Sequence, residues 1–221
     1  MTLQAQAYAV LIVAAFNIVL ATTIVVQDVR NRTVIAFGLL SLSTVAWGIT
    51  SGIYYLLPAS SNVLLTFFAR SVYFSGESIP AFFLYFVLTF YSNRAPSWRQ
   101  LALIFSPTLV LLPLYFATDL MVKGPLLISD FSRGFVYGPL RFIFDVHLTL
   151  YFLIALIGLG ITYFRLSKDA RQSIPIIIVG TYSALAIALW ANLYLPHIKS
   201  EFAYRWYGPS SVLLWLVAVA Y

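Results

Sequence analysis

The sequence contains no cysteine and only two histidines among its 221 residues. Without thiols the chain can form neither a disulfide nor a thiolate metal site, and two imidazoles leave little for a histidine metal cluster. Charged residues are also scarce, at 9% of the chain, whereas 62% of the residues are hydrophobic. These proportions are typical of an integral membrane protein. The sequence therefore predicts an integral membrane protein, with the lipid bilayer as its first partner.

Long apolar stretches separated by short polar segments predict seven membrane-spanning helices. A helix needs about 20 mainly apolar residues to cross about 30 Å of hydrocarbon. A membrane β-barrel is excluded because its strands alternate over about ten residues, and these runs are unbroken for longer. The expected fold class is all-α, a polytopic membrane protein with a single seven-transmembrane helix bundle as its one domain. The predicted spans are approximately 5–27, 33–57, 62–91, 98–118, 138–165, 173–196 and 206–221.

Basic residues in the short loops predict the orientation of these spans. Lys and Arg are enriched in short cytoplasmic loops. The first, third and fifth loops carry seven of them, whereas the second loop, 58–61, carries none. We therefore expect the N-terminus outside and the C-terminus inside. In a membrane protein the net charge of +6 reports topology and implies no nucleic-acid partner. The seven basic residues are Arg30, Arg32, Arg94, Arg99, Arg165, Lys168 and Arg171.

The seventh predicted span is short. Residues 206–221 cover about 24 Å as a helix, which is less than the hydrocarbon thickness. One expectation is a helix that continues beyond Tyr221, so that the chain is a fragment of a longer protein. The alternative is a helix that ends at the interface with Tyr221 as an aromatic anchor.

The extracellular loop 119–137 is the longest polar connection between the spans. Two short apolar runs, "LLIS" and "GFVYG", flank "DFSR" in it, a pattern that permits a small β-hairpin lid over the outer mouth of the bundle. The alternative is an ordered loop without a function. Loops longer than about 12 to 15 residues are more often functional than idle.

Two charged residues interrupt the apolar third span. Arg70 and Glu77 are seven positions apart and therefore share one helix face, two turns apart. Counted from Asn62, Arg70 lies about 12 Å deep and Glu77 about 22 Å deep. In the fifth span, the same count from the outer end places Asp145 at about 12 Å and His147 at about 15 Å.

These depths predict partners. Arg70 and Asp145 match in depth and form one expected ion pair. The competing local pair is Arg141 with Asp145, four residues apart on one helix, and water-mediated contacts are the third alternative. Glu77 has no partner at its depth, so we expect it to be protonated, because burial disfavours the charged form.

Ionisable residues inside a membrane are costly and are functional candidates by default. Arg70, Glu77, Asp145 and His147 therefore form the candidate ligand-binding set, and the alternative is that they only hold helices together. No predicted span contains a lysine, which excludes a retinal Schiff base. We expect no catalytic residue, no metal site and no cofactor, so the chain is not predicted to be an enzyme.

Several segments together resemble the N-terminal seven-transmembrane sensor region of bacterial histidine kinases. They include "GESIPAFFLYFVLTFYS" in the third span, "VYGPLRFIFDVHLTLYF" in the fifth, "ANLYLP" in the sixth and "YGPSSVLLWLVAVAY" at the end. Their order and spacing cover nearly the whole chain. The residues that make the match specific are Gly76, Pro80, Asn192, Pro196, Gly208 and Pro209, which are expected to be structural, together with Tyr221.

The resemblance implies a sensory input domain of a two-component system, as a multi-pass protein of the cell inner (plasma) membrane. A small unknown ligand or the state of the membrane is the expected signal. The seventh helix is expected to relay it to a cytoplasmic signalling domain in cis beyond Tyr221, and a homodimer is a possible assembly. Two alternatives remain open: a small solute or proton-coupled transporter that uses Glu77, and a structural membrane anchor.

Overall fold

The computed structural model of the chain describes residues 2–92, 96–129, 132–165, 173–195, 207–208 and 211. Five helices in this part are long and apolar enough to cross a bilayer, which indicates a membrane protein. The predominantly helical fold class is therefore confirmed. The elements are helices α1 (Leu3–Gln27), α2 (Arg32–Leu56), α3 (Asn62–Ser92) and α4 (Trp98–Phe116), strands β1 (Val122–Ser129) and β2 (Ser132–Tyr137), and helices α5 (Arg141–Arg165) and α6 (Ser173–Leu189), with a π-helix at Trp190–Tyr194.

The first five helices begin and end within three residues of the first five predicted spans. In the predicted sixth span, α6 passes into the π-helix, which contains Asn192. The predicted seventh span lies outside the described residues except for three of them. One of these, Ser211, donates a hydrogen bond to the carbonyl of Ala184 on α6 at 3.1 Å.

Polar residues fix where the helices begin. The hydroxyl of Thr2 accepts from the N–H of Ala5 at 3.2 Å, and the side chain of Asn31 accepts from Thr33 at 3.0 Å. Such caps satisfy backbone donors that have no partner inside the helix. The short polar connections therefore stop one apolar run and start the next.

Helix α3 is the centre of the bundle. It packs against α2, α4, α5 and β1, and 72% of its apolar stretch is buried, against at most 44% in the other long helices. Helix α1 packs mainly on α2, where a Cβ at Gly48 would lie 3.0 Å from the Cβ of Ala14. The polar residues of α3 are therefore positioned by neighbours on several sides.

Two apolar clusters surround α3. The hairpin-side cluster includes Tyr54, Tyr73 and Phe135. The far cluster includes Phe37, Phe83 and Leu159. Trp47 packs against both clusters, and Glu77 lies on α3 between their members Tyr73 and Ile79.

Strands β1 and β2 form an antiparallel hairpin, which confirms the hairpin expected in loop 119–137. The register pairs Val122 with Tyr137 and Ser129 with Ser132. At its base, the N–H of Gly138 donates to the carbonyl of Met121 at 3.0 Å. Most of β2 is buried, whereas the second half of β1 is exposed. The hairpin thus covers one end of the bundle with β2 inward.

Candidate functional site

Arg70, on α3, joins the hairpin to the end of α4. Its Nε donates to the carbonyl of Val122 at 3.1 Å, and its Nη1 donates to the carbonyl of Phe116 at 3.1 Å. Its Nη2 forms an ion pair with Asp119. Phe116 is the last residue of α4, so the guanidinium supplies a donor to a helix end that lacks one.

The expected Arg70–Asp145 pair is therefore wrong, and the length of α3 gives the reason. Helix α3 has 31 residues, about 46 Å at 1.5 Å per residue, which exceeds the hydrocarbon thickness. Its first two turns extend past the end of α4 and pack beside β1, where the Oγ1 of Thr66 faces Gly124. Depths counted from Asn62 are therefore too large.

Arg133 forms a second anchor, which the sequence reasoning missed. Its Nη1 donates to the carbonyl of Tyr54 at 2.8 Å, and the Tyr54 hydroxyl donates to the carbonyl of Gly134 at 2.6 Å. Tyr54 lies in the last turn of α2. Burial lowers the pKa of the Arg133 guanidinium. Spacing along the chain provides no signal for this contact, because Arg133 and Tyr54 are 79 positions apart.

Arg141 pairs with Asp145 at 3.3 Å, so the local alternative is confirmed. The guanidinium also lies 4.1 Å from the centre of the Tyr137 ring. Asp145 keeps 34% of its side chain exposed, whereas Arg141 keeps 7%. The cation is therefore held between an aromatic face and a carboxylate.

Glu77 and His147 form the most buried polar contact between two helices in the described part of the chain. Glu77 Oε1 contacts His147 Nδ1. Glu77 is 0% exposed and His147 7%. The expectation that Glu77 lacks a partner is therefore wrong. Because the two side chains are in contact, they lie at the same level of the bundle.

Tyr151 supports His147 from one helix turn away. The two ring centres are 4.0 Å apart. The Tyr151 hydroxyl donates to the carbonyls of Leu103 and Ile104 on α4, at 3.0 and 3.1 Å. Pro107 has no N–H for the carbonyl four residues before it, which is that of Leu103. The tyrosine therefore satisfies a carbonyl that the proline leaves without its helical donor.

Further polar atoms near the pair are buried without a hydrogen-bond partner among the described residues. They are Glu77 Oε2, His147 Nε2, Thr108 Oγ1 and Tyr115 Oη. Thr108 lies one turn after Ile104 on α4, as His147 lies one turn before Tyr151 on α5, so these two residues share a level. Tyr115 is fully buried and lies within electrostatic range of Glu77.

The structural residues on α3 lie beside the pair. Pro80 removes the helical donor to the carbonyl of Gly76, and a Cβ at Gly76 would lie 3.4 Å from Nε1 of Trp47. Gly208 is buried, and of Asn192 only the backbone is described. Pro196 and Pro209 lie outside the described residues.

The four candidate ligand-binding residues thus divide into two groups. Glu77 contacts His147, and Asp145 lies within electrostatic range of Glu77. Arg70 belongs to the hairpin anchor instead. Within the described ranges, no three His, Asp or Glu side chains are placed to hold one metal ion. No protein-family model, curated protein or solved structure matches the chain.

Proposed function

We propose that the chain is a membrane sensory input domain, in which the Glu77–His147 contact is the element that changes state. The observation that carries this proposal is the position of the contact. It joins the central helix α3 to α5 and lies between the two apolar clusters. A change at this contact alters how two helices pack, and packed cores move between discrete arrangements.

The chemistry of the pair supports a switch with two states. A buried carboxylate and imidazole are stable when they bind each other and costly when separated. Glu77 Oε2 and His147 Nε2 each retain hydrogen-bonding capacity, with no partner among the described residues. A bound ligand shifts the balance only by its difference in affinity between the two arrangements. Polar groups that a ligand or a proton can satisfy in one arrangement provide that difference.

The proposal includes the topology expected from the sequence. In it the chain crosses the inner membrane seven times, with the N-terminus and the hairpin outside. The signal passes through the seventh helix to a cytoplasmic signalling domain, as the resemblance to histidine kinase sensor regions implies. Arg70 of α3 bonds to Val122 of the hairpin and to Phe116 of α4, and Arg133 of the hairpin bonds to Tyr54 of α2. These bonds give an outer signal a mechanical path to the three helices.

A proton-coupled transporter is the second candidate function. The observation that favours it is the same carboxylate and imidazole, because such groups form proton relays inside membrane proteins. A transporter must release its cargo on the other side of the membrane, whereas a sensor needs only a change of helix arrangement. Flux therefore separates the two functions.

The experiment combines a binding screen with a flux measurement on the purified full chain. The Tm of the wild type, of Glu77→Gln and of His147→Asn is measured in nanodiscs, with and without each compound of a panel of small metabolites and lipids. We expect at least one compound to raise the Tm of the wild type and to have no such effect on either variant. Asp28→Asn is the matched control, because this exposed acid lies after α1 and far along the chain from the pair.

The same compounds are then tested for uptake into liposomes, together with proton movement. A sensor gives binding without turnover. Uptake that requires Glu77 establishes the transporter and overturns the sensory proposal. If the compounds raise the Tm of Glu77→Gln and His147→Asn as much as that of the wild type, the pair does not take part in ligand sensing. That result also overturns the sensory proposal.

A further inference from the structure

Exposed charge is distributed unequally between the two ends of the bundle. At the hairpin end, the exposed charged residues that the structure describes are Lys123 and Asp119, whose charges cancel. At the opposite end, which we call the arginine end, the described charged residues are all exposed and carry a net charge of +3. They are Arg30, Arg32, Arg99, Arg165 and Asp28.

The direction of the helices places these residues together. Segment 28–31 joins α1 to α2, and segment 93–97 joins α3 to α4, so α1 and α3 both end at the arginine end. Helix α5 runs parallel to α3, because Tyr73 contacts Phe144 and Phe83 contacts Phe152, with ring centres 5.2 and 5.5 Å apart. The last turn of α5 therefore lies at the arginine end as well.

Three of the four arginines directly follow an exposed apolar side chain. These apolar–arginine pairs are Val29–Arg30, Trp98–Arg99 and Phe164–Arg165. Their apolar members are 61%, 74% and 75% exposed, in the same order. The guanidinium of Arg99 lies 5.5 Å from the centre of the Trp98 ring. An apolar side chain next to a cation is typical of the boundary between hydrocarbon and headgroups, where one contacts the acyl chains and the other reaches the phosphates.

The apolar–arginine pairs lie on different sides of the central helix. Helices α2, α4 and α5 each pack against α3. The first pair lies just before α2, the second begins α4 and the third ends α5. The pairs are therefore distributed around α3, at the rim of the bundle. In a chain that crosses a bilayer, this rim meets the surrounding lipids.

We propose that the three apolar–arginine pairs bind anionic phospholipids of the surrounding leaflet, each through its phosphate and acyl chains. A guanidinium donates two parallel hydrogen bonds to phosphate oxygens, while the apolar side chain before it contacts the acyl chains. The surface is continuous with the lipid-facing side of α4, where Leu103, one turn after Arg99, is exposed. This binding goes beyond the sensory proposal and does not involve the Glu77–His147 pair.

Charge favours an anionic lipid over a zwitterionic one. Arg30, Arg32 and Arg99 form no ion pair within the part of the chain that the structure describes. Basic residues next to a membrane-spanning helix attract anionic headgroups. Orientation of the chain requires only the positive charge, and it gives no reason for an exposed tryptophan or phenylalanine beside the arginine. A soluble acidic partner leaves those apolar side chains without a contact, whereas a lipid provides one.

The test compares two positions on one helix of the full chain. The chain has no cysteine, so one introduced thiol carries a fluorophore. Leu103→Cys places it one turn from Arg99, and Val110→Cys places it seven residues further along α4, on the same face and nearer the hairpin. Both native side chains are exposed. Quenching in vesicles by brominated phosphatidylglycerol or brominated phosphatidylcholine gives the relative affinity of the two lipids at each position.

We expect position 103 to prefer phosphatidylglycerol about fivefold, which is the attraction of one arginine to an anionic membrane surface. Position 110 is expected to show a ratio of about one. Arg99→Gln is expected to reduce the ratio at position 103 to about one, whereas Arg99→Lys, which keeps the charge, is expected to retain most of it. Lys123→Gln removes an exposed positive charge at the hairpin end and is the matched control, with no expected effect.

A second reporter tests another of the pairs. Ile161→Cys lies one turn before Arg165 on α5, and the native side chain is exposed. We expect the same preference for phosphatidylglycerol at this position and its loss in Arg165→Gln. A preference at position 103 without one at position 161 contradicts a surface that surrounds the bundle.

Three further results overturn the proposal. They are a ratio of about one at position 103 in the wild type, an equal preference at positions 103 and 110, and an unchanged ratio in Arg99→Gln. Inorganic phosphate at constant ionic strength is expected to leave the ratio unchanged. If it abolishes the preference, the arginines bind phosphate from the water and the lipid assignment is wrong.

None of these measurements depends on signalling. If the sensory screen fails and the preference for phosphatidylglycerol is observed, the proposed function alone is rejected. If the screen succeeds and the preference is absent, the lipid-binding surface alone is rejected.

Discussion

At the residue scale, the Glu77–His147 contact determines which substitutions the centre of the bundle tolerates. Both side chains are buried, so each is compensated mainly by the other. Removing one member of a buried pair leaves the other without its partner and costs about 3 to 5 kcal/mol. Replacing both members by apolar residues is often neutral or stabilising. The presence of the pair is therefore weak evidence that it stabilises the fold.

His147→Leu is expected to lower the free energy of unfolding by about 3 kcal/mol, because Glu77 is then buried without its partner. The double variant Glu77→Met with His147→Leu is expected to regain most of this loss. Asp28→Asn is the control and is expected to change the free energy of unfolding by less than about 0.5 kcal/mol, because Asp28 is exposed and lies far along the chain from the pair. Reversible unfolding in bicelles measures all three. A double variant as unstable as the single one contradicts the account.

The sequence offered the local contact of this region as one of three alternatives and missed the contact between α3 and α5. Arg141 and Asp145 are four residues apart on one helix, so no knowledge of packing was needed. Glu77 and His147 belong to helices that begin at different positions along the bundle axis. A depth counted from the first residue of each helix assumes that the helices begin at the same position, but α3 extends past its neighbour α4. The partner of Arg70 was missed for the same reason, because Asp119 and the end of α4 lie at its level.

At the scale of elements, α4 depends on a neighbour to satisfy its backbone. Pro107 removes the donor to the Leu103 carbonyl, and Tyr151 of α5 supplies one at 3.0 Å. Tyr151→Phe is expected to cost about 1 kcal/mol of the free energy of unfolding. In the background of Pro107→Ala, which restores the helical N–H, the same change is expected to cost clearly less. A double-mutant cycle in bicelles measures the difference, and equal costs in both backgrounds exclude the compensation.

The base of the hairpin is another element with a strict requirement. A Cβ at Gly138 would collide with the backbone carbonyls of Asp119 and Leu120. Gly138→Ala is therefore expected to destabilise the hairpin by about 1 to 3 kcal/mol and to increase proteolysis between residues 122 and 137. Gly160→Ala is the matched control, since nothing lies within 4 Å of the added Cβ. In a helix this control change is expected to stabilise by about 0.5 to 1 kcal/mol.

The first and last residues of the elements were largely predictable from the sequence, whereas the positions of the helices relative to one another along the bundle axis were not. Apolar runs end where Asn31 and Ser97 cap the next helix, so the runs mark the helices to within a few residues. The hairpin followed from two short apolar runs around a polar turn. The second anchor did not follow, because the contact between Arg133 and Tyr54 joins residues 79 positions apart, and spacing along the chain contains no signal for such a contact.

At the scale of the whole molecule, the proposed signal path depends on the topology. The hairpin and the predicted cytoplasmic output lie on opposite sides of the membrane only if the number of crossings is odd. The chain has no cysteine, so a single introduced thiol reports its own side of the membrane without background. Val29 and Ser97 lie at one end of the helices, and Ser60 and Leu127 lie at the other end; all four are exposed.

We expect thiols at positions 60 and 127 to react with an impermeant reagent on intact cells. Thiols at positions 29 and 97 are expected to react only after the membrane is made permeable, because basic loops stay in the cytoplasm. A fluorescent protein fused after Tyr221 is expected to be shielded from added protease in intact cells. Reaction at position 97 from outside reverses the orientation. If the four thiols react as expected but the fused protein is cleaved in intact cells, the number of crossings is even. The hairpin and the C-terminus then lie on the same side of the membrane, and no path leads from the hairpin to a cytoplasmic output.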